Sequence, residues 1–286
     1  SMAQTVKIIS DSTCDLSKEL IEKYDITILP LHILLGETEY RDGVDITPEE
    51  IFRWSDENKT TPKTSAPSMT EAMEVMKPFL DEGREVICFS ISDIMSTSGN
   101  VMRLAAEELE ASDKVTVINS ANLSTGIGLQ VIQAAILSAE GKNRAQITAA
   151  IEEIRPRVRA SFTVDTLTYL YRGGRCNAVA ALAGTMLKLH PRIVVENGAM
   201  DASKKYRGKL GSVILSYTKD MEEALKNAVP DRVFITHSGC DREIVESVRS
   251  YLESLGIFKE VLETRAGGVI SSHCGPGTLG VLFIEK

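Results

Sequence analysis

Glu85-Val86-Ile87-Cys88-Phe89-Ser90-Ile91 is a continuous apolar run that stops at Ser92-Asp93-Ile94-Met95-Ser96-Thr97-Ser98-Gly99-Asn100. Beyond it, Val101, Leu104, Ala105 and Leu109 keep helical spacing over 101–109. A short run of this composition suits a strand buried on both faces, so the unit reads as strand, hydroxyl-rich loop, helix. The same order stands on either side of it. Val6-Lys7-Ile8-Ile9 ends in Ser10-Asp11-Ser12-Thr13-Cys14-Asp15 before a helix predicted over 17–24, with Ser17 as its N-cap. Lys114-Val115-Thr116-Val117-Ile118 leads through Asn119-Ser120-Ala121-Asn122-Leu123-Ser124-Thr125-Gly126 into a helix ending near 139, and a further helix is predicted over 144–157.

Strands that alternate with helices at this spacing predict a parallel sheet covered on both faces, an α/β domain placed at 1–160. In such sheets ligands collect at the carboxyl ends of the strands, where Asp11 and Ser12 lie; capping of a turn by Asp11 or Asp15 accounts for the same residues equally well. None of the loops matches Gly-x-x-x-x-Gly-Lys-Ser/Thr, which excludes a P-loop.

Two capping boxes punctuate the region between the first strands. Thr47-Pro48-Glu49-Glu50 starts a helix running to about 57, and Ser68-x-x-Glu71 starts another running to about 81. Capping accounts for Ser68 but leaves Thr64 and Ser65 unexplained. Hydroxyls just ahead of a helix N-terminus are suited to holding a carboxylate or phosphate.

From Ser161 the texture changes. A strand is predicted over 162–164, followed by Tyr171-Arg172-Gly173-Gly174-Arg175, an apolar helix over 179–189, and a strand and turn over 190–198. Lys204-Lys205-Tyr206-Arg207-Gly208-Lys209 is the one tight basic cluster, either a solvated face or a docking surface for an acidic or phosphorylated partner. A helix over 218–228, a strand over 232–236 and a helix over 241–254 complete a second α/β domain, 161–286. His237 is expected to be structural.

Near the end stands Gly267-Gly268-Val269-Ile270-Ser271-Ser272-His273-Cys274-Gly275-Pro276-Gly277-Thr278-Leu279-Gly280, then Val281-Leu282-Phe283-Ile284. It reads as strand, polar turn, strand, with amides, hydroxyls and His273 able to donate into one small volume that suits an anion. The alternative is a tight hairpin with a packed histidine. Gly275 to Gly280 satisfies the letters of the dinucleotide fingerprint, but that motif works between a strand and a helix, and here the chain ends six residues later. The nucleotide reading is rejected.

Bulk properties narrow the function classes. The 286 residues are 43% hydrophobic with a net charge of −8, and Lys and Arg are spread along the chain, which argues against nucleic acid and anionic membrane as partners. Cys14, Cys88, Cys176, Cys240 and Cys274 are far apart with no Cys-x-x-Cys pair, so neither a metal site nor a redox pair is expected and the thiols read as reduced, in a cytoplasmic protein. No apolar run approaches the ~20 residues of a membrane span, and no signal peptide is read at the start, where Ser1 ahead of Met2 looks like a remnant of tag cleavage.

With these residues laid out, the chain resembles the DegV family along nearly its whole length. The resemblance is carried by Asp11-Ser12-Thr13-Cys14-Asp15-Leu16, Thr64-Ser65-Ala66-Pro67-Ser68, Ser92-Asp93-Ile94-Met95-Ser96, Phe162-Thr163-Val164-Asp165-Thr166-Leu167 with Arg172-Gly173-Gly174-Arg175, and Gly275-Pro276-Gly277 after His273. It implies a two-domain α/β molecule, without a cofactor, that binds a long-chain fatty acid and acts as the non-catalytic carrier in a bacterial fatty acid kinase, a separate ATP-using subunit phosphorylating the carboxylate. Carried over by position, it implies that Thr64, Ser65 and Ser96 bind the carboxylate from the first domain and His273 from the second, supported by Ser98, Gly275 and Gly277, with the acyl chain in an apolar tunnel. Arg172, Arg175, Lys204 and Lys205 mark where the kinase subunit is expected to dock. One departure stands out: Met95-Ser96-Thr97-Ser98 replaces the usual Leu-Ser-Gly-Thr, which puts the loop around Thr97 in question.

Two other functions compete with a carrier. An esterase or acyl transferase would use Ser96 or Ser272 as nucleophile and His273 as base, but the chain lacks Gly-x-Ser-x-Gly, and Ser272 and His273, adjacent on a strand, would face opposite ways. A scaffold without ligand leaves the recurrence of donors at strand ends unexplained.

Overall fold

The computed structural model describes residues 5–176 and 189–286; the helix expected over 179–189 lies outside them but for its last residue. The chain opens with β1 (Lys7–Asp11), α1 (Lys18–Lys23), β2 (Thr27–Leu29), β3 (His32–Leu35), β4 (Thr38–Arg41), α2 (Pro48–Asn58), β5 (Lys63–Ser65) and α3 (Met69–Asp81). Next come β6 (Val86–Ser90), α4 (Ser98–Glu108), β7 (Val115–Asn119), α5 (Thr125–Ala139) and α6 (Arg144–Ile154). The expected strand-loop-helix unit is β6, its loop and α4.

A four-stranded sheet in the order β2-β1-β6-β7 is parallel throughout. Its side chains alternate between two cores: Ile9, Val86, Cys88 and Val115 pack with Ala72 and Met76 of α3 and Met102 and Ala105 of α4, while Ile8, Ile87, Phe89 and Ile118 face α5 and α6. That alternation is why these strands read as unbroken apolar runs. A small antiparallel sheet, β4-β3-β5, stands beside it. Thr64 and Ser65 therefore belong to a strand, β5, and not to the loop ahead of a helix that the sequence suggested.

The remaining elements are β8 (Val158–Arg159), β9 (Ser161–Thr163), α7 (Thr168–Gly173), β10 (Leu189–Glu196), β11 (Ala199–Arg207), α8 (Leu210–Asp220), α9 (Glu222–Lys226), β12 (Val233–His237), α10 (Arg242–Ser254), β13 (Val261–Arg265), α11 (Gly268–Cys274) and β14 (Leu279–Ile284). They build a second sheet, β11-β10-β9-β14-β12-β13 with β8 beside β14, in which only β12 and β13 run parallel. On one face lie α8 and α10, contributing Val213, Ile214, Tyr217, Val245, Val248 and Leu252. From the other face Phe162, Phe234, Leu282 and Ile284 join the core that surrounds α5.

Helix α5 is thus the layer between the sheets, with Ile127, Leu129, Val131 and Ile132 all buried. A helix apolar all round is stable only when both sides are covered. Its Thr125 hydroxyl lies 2.7 Å from that of Thr236 on β12, and Ser124, just before it, holds an unusual backbone conformation (φ 51°, ψ −140°). The Ser124 hydroxyl donates to Asp15 at 2.6 Å, which fixes that turn.

The Gly267–Cys274 stretch is corrected most. Residues 268–274 form a helix, α11, and only after the turn at Gly275 and Gly277 (φ 79° and 75°) does β14 begin. Two buried carboxylates from the first half hold its start: Asp15 accepts from Gly267 N at 3.0 Å and Asp42 from Gly268 N at 2.8 Å. Val269 packs into the core of the small sheet with Ile33 and Ile51. A Cβ on Gly268 would stand 2.5 Å from Ile33 Cδ1 and 2.8 Å from Asp42 Oδ1. Gly268→Ala is expected to destabilise the fold by about 1–3 kcal/mol through overpacking, read from a lower urea midpoint with an unchanged m-value; an unchanged midpoint contradicts this packing.

Candidate functional site

Where α11 meets β5 and the loop after β6, a cavity of about 390 Å³ opens between the two halves of the molecule. Thr64, Ser65, Ser96 and His273 all line it, with Thr97, Asp93 and Arg175, and its walls are Leu31, Ile91, Met95, Leu123, Met200 and Ile270. The elements explain the convergence: β5 is placed by pairing with β3, the Ser96 loop follows the carboxyl end of β6, and α11 is drawn in by its carboxylate clamp.

His273 Nε2 is 2.6 Å from Thr64 Oγ1, a contact between residues 209 positions apart. On the other side of the ring, Nδ1 is 3.4 Å from the Arg175 guanidinium, which also donates from Nε to the Met95 carbonyl at 2.9 Å and from Nη1 to the Gly173 carbonyl at 3.2 Å. Burial, and secondarily the Arg175 charge, push the His273 pKa down to about 3, so the imidazole is neutral at physiological pH. Burial likewise lowers that of Arg175. A Cβ on Gly173 would lie 2.7 Å from His273 Nδ1, so the ring rests directly on that glycine.

Ser98, by contrast, lies behind the cavity: buried at the start of α4, it donates from its hydroxyl to Asp11 at 2.9 Å and from its amide to Ser96 Oγ at 3.2 Å. Thr97 has φ −85°, a backbone any residue adopts, so the loop needs no glycine there. Gly275 and Gly277 lie outside the cavity wall and shape the exit from α11. His237 is structural, as expected: its Nδ1 accepts from the Gly239 and Cys240 amides and its Nε2 faces Glu263 at 3.1 Å. Of the four cations expected near a docking surface, Arg175 is half-buried in the cavity wall, whereas Arg172, Lys204 and Lys205 are exposed and Lys204 pairs with Asp220 at 2.6 Å.

The sequence alone gave no reason to group Asp11, Asp15 and Asp42. Asp11 accepts from the Thr13 and Ile91 amides and two hydroxyls, at 2.5–3.0 Å, and each of the three is almost completely buried. Among the described residues no ion pair reaches any of them. Their charge is met by amide and hydroxyl dipoles, and burial raises all three pKa values, that of Asp42 to about 6. Among the described residues no cluster suited to a metal ion occurs, and no helix is long and apolar enough to cross a membrane.

A family model described as "Uncharacterised protein, DegV family" matches residues 5–286. The chain belongs to the DegV family. A DegV domain-containing protein of Clostridium perfringens is 33% identical over 287 residues, covering 98% of this chain and 99% of that one. Among solved structures, one described as fatty acid binding of a DegV family protein from Thermus thermophilus superposes with a TM-score of 0.88 at 32% identity, covering 99% of this chain and all of the other. A stearic acid-binding protein from Eubacterium ventriosum superposes with a TM-score of 0.85 at 32% identity, over 98% of both chains.

Because the folded state holds the Asp42 proton up to about pH 6 and the unfolded chain releases it near 3.8, stability from this group is greatest in acid and declines as pH rises through that window. Asp42→Asn, which keeps a neutral acceptor, is expected to lose less stability than the parent between pH 4 and 7 by thermal denaturation. Parallel pH profiles contradict the assignment.

Proposed function

We propose that this DegV protein binds a long-chain fatty acid, with its carboxylate among Thr64, Ser96 and His273, Ser65 at the exposed edge, and its acyl chain along Met95, Leu123, Met200 and Ile270. The observation that carries this reading is the 2.6 Å meeting of Thr64 and His273 in the wall of a cavity that Met95, Leu123, Met200 and Ile270 also line. The fatty acids bound by the Thermus and Eubacterium relatives support it. Burying methylenes supplies roughly 0.8 kcal/mol each, so an acyl chain of about 16 carbons provides ample drive before ordering costs are met. The polar groups then set orientation.

A carrier role in a kinase system follows from the same family resemblance. Ser65 of the proposed carboxylate site is exposed, and the exposed cations Arg172, Lys204 and Lys205 are the positions where a separate phosphorylating subunit would dock on this reading. The competing esterase reading has little support in the geometry. Ser272 donates to the Gly268 carbonyl at 2.6 Å, Ser96 accepts from Ser98 N, and His273 is engaged by Thr64. A neutral imidazole with a pKa of about 3 and a guanidinium on its far nitrogen is a poor general base.

The test is mass spectrometry of an organic extract of the purified protein, with binding of added palmitate. A stoichiometric C14 to C18 fatty acid is expected, with Thr64→Val and His273→Ala weakening binding by roughly tenfold while an apolar contribution persists. Absence of lipid from the extract together with no uptake of palmitate overturns the reading.

A further inference from the structure

Arg175 is the charged group in the cavity that the carboxylate site leaves unexplained. Its side chain is half-buried and among the described residues bonds to the Met95 and Gly173 carbonyls and to His273 Nδ1, and no carboxylate of those residues lies within ion-pair distance of it. A half-buried cation held by neutral acceptors is retained at a cost, so its position asks for a purpose.

Hydrogen-bond chemistry supplies one. A guanidinium has donors and no acceptor, so the imidazole nitrogen facing it must present a lone pair. A neutral imidazole carries one proton, which is then left on Nε2, the atom 2.6 Å from Thr64 Oγ1. The threonine oxygen becomes the acceptor of that bond, and its own proton is turned loose toward the cavity. With the opposite tautomer, Thr64 would spend its proton on the ring and offer an incoming carboxylate only a lone pair.

We propose that Arg175 is a positioning residue for the head group: by donating to His273 Nδ1 it fixes the Nε2–H tautomer, which makes Thr64 a donor to the ligand carboxylate. The order is Arg175 to His273 to Thr64 to carboxylate, each group donating to the next, and the positive charge at its far end complements the anion at the near end. Gly173 belongs to the device, because its missing side chain lets the ring lie against the α7 backbone within reach of the guanidinium. The ligand step rests on the fatty acid reading above; the tautomer does not, and can be read without ligand.

The test is long-range 1H–15N NMR of ligand-free protein labelled at its four histidines, with the His273 signals identified by their loss in His273→Asn. The parent is expected to show a fixed Nε2–H tautomer for His273 that does not change from pH 5 to 8. Arg175→Met is expected to shift the 15N pattern toward a tautomer mixture and weaken palmitate binding roughly tenfold, with Arg175→Lys recovering part of both. Gly173→Ala, whose added Cβ would stand 2.7 Å from His273 Nδ1 and displace the ring while Arg175 itself is kept, is expected to disturb the same signals. Unfolding midpoints of all variants separate these effects from loss of fold. A Nδ1–H tautomer in the parent, or a His273 15N pattern indifferent to Arg175→Met in a folded variant, overturns the proposal. A parent with the Nε2–H tautomer that takes up no palmitate would leave the tautomer standing and remove the fatty acid reading instead.

Discussion

The site depends on a bond between the two halves of the molecule: the buried carboxylates of Asp15 and Asp42, rooted beside β1 and β4, gripping the first amides of α11. A helix start carries partial positive charge and free donors, so a carboxylate there is met on both counts. Neither acid has a cationic partner among the described residues, and removing one would leave buried amides without acceptors, at about 1–3 kcal/mol for each. The clamp sets the height of α11 against the small sheet, and the helix in turn brings His273 to Thr64. The same acids reach outward: Ser124 donates to Asp15 and fixes the entry to α5, while Ser12 donates to Asp42.

Around that clamp the architecture is a sandwich with α5 as its filling. The parallel sheet covers one side of the helix and the second, mostly antiparallel sheet the other, so the halves share one apolar core. The cavity occurs where this core meets the loop ends of β6 and β5, and so has carbon walls and a polar rim. Its polar groups are held before any ligand arrives. Preorganised donors of this kind lower the ordering cost of binding a polar group, while burial against apolar walls is what drives affinity for an apolar one.

Much of this was legible in the sequence, for reasons that differ by element. Strand-loop-helix units such as 85–109 were read because their periodicity and length are local properties. The second sheet was less transparent: β11 was read as a basic cluster and β13 was not recognised, since the exposed Lys204 and Lys205 and a half-buried strand give weak apolar signals. The stretch 267–280 reads as strand, polar turn, strand because a short, wholly buried helix over 268–274 has no polar face to give it a helical period. The family resemblance and the chemistry of donors at chain turns group Thr64, Ser65, Ser96 and His273, and all four line one cavity. Arg175 as a cavity residue, and the Asp15 and Asp42 clamp, are not legible, because their roles come from partners about 100 to 250 positions away that no local pattern encodes.

The most direct measurement of the central claim is 13C NMR of palmitate labelled at its carboxyl carbon. A fatty acid held by Thr64, Ser96 and the neutral His273 is predicted to give one bound carboxyl resonance, displaced from free palmitate, constant between pH 5 and 8, and shifted in Thr64→Val. A bound resonance that titrates like an exposed carboxylate and ignores Thr64→Val, or no bound resonance at all, would contradict the account.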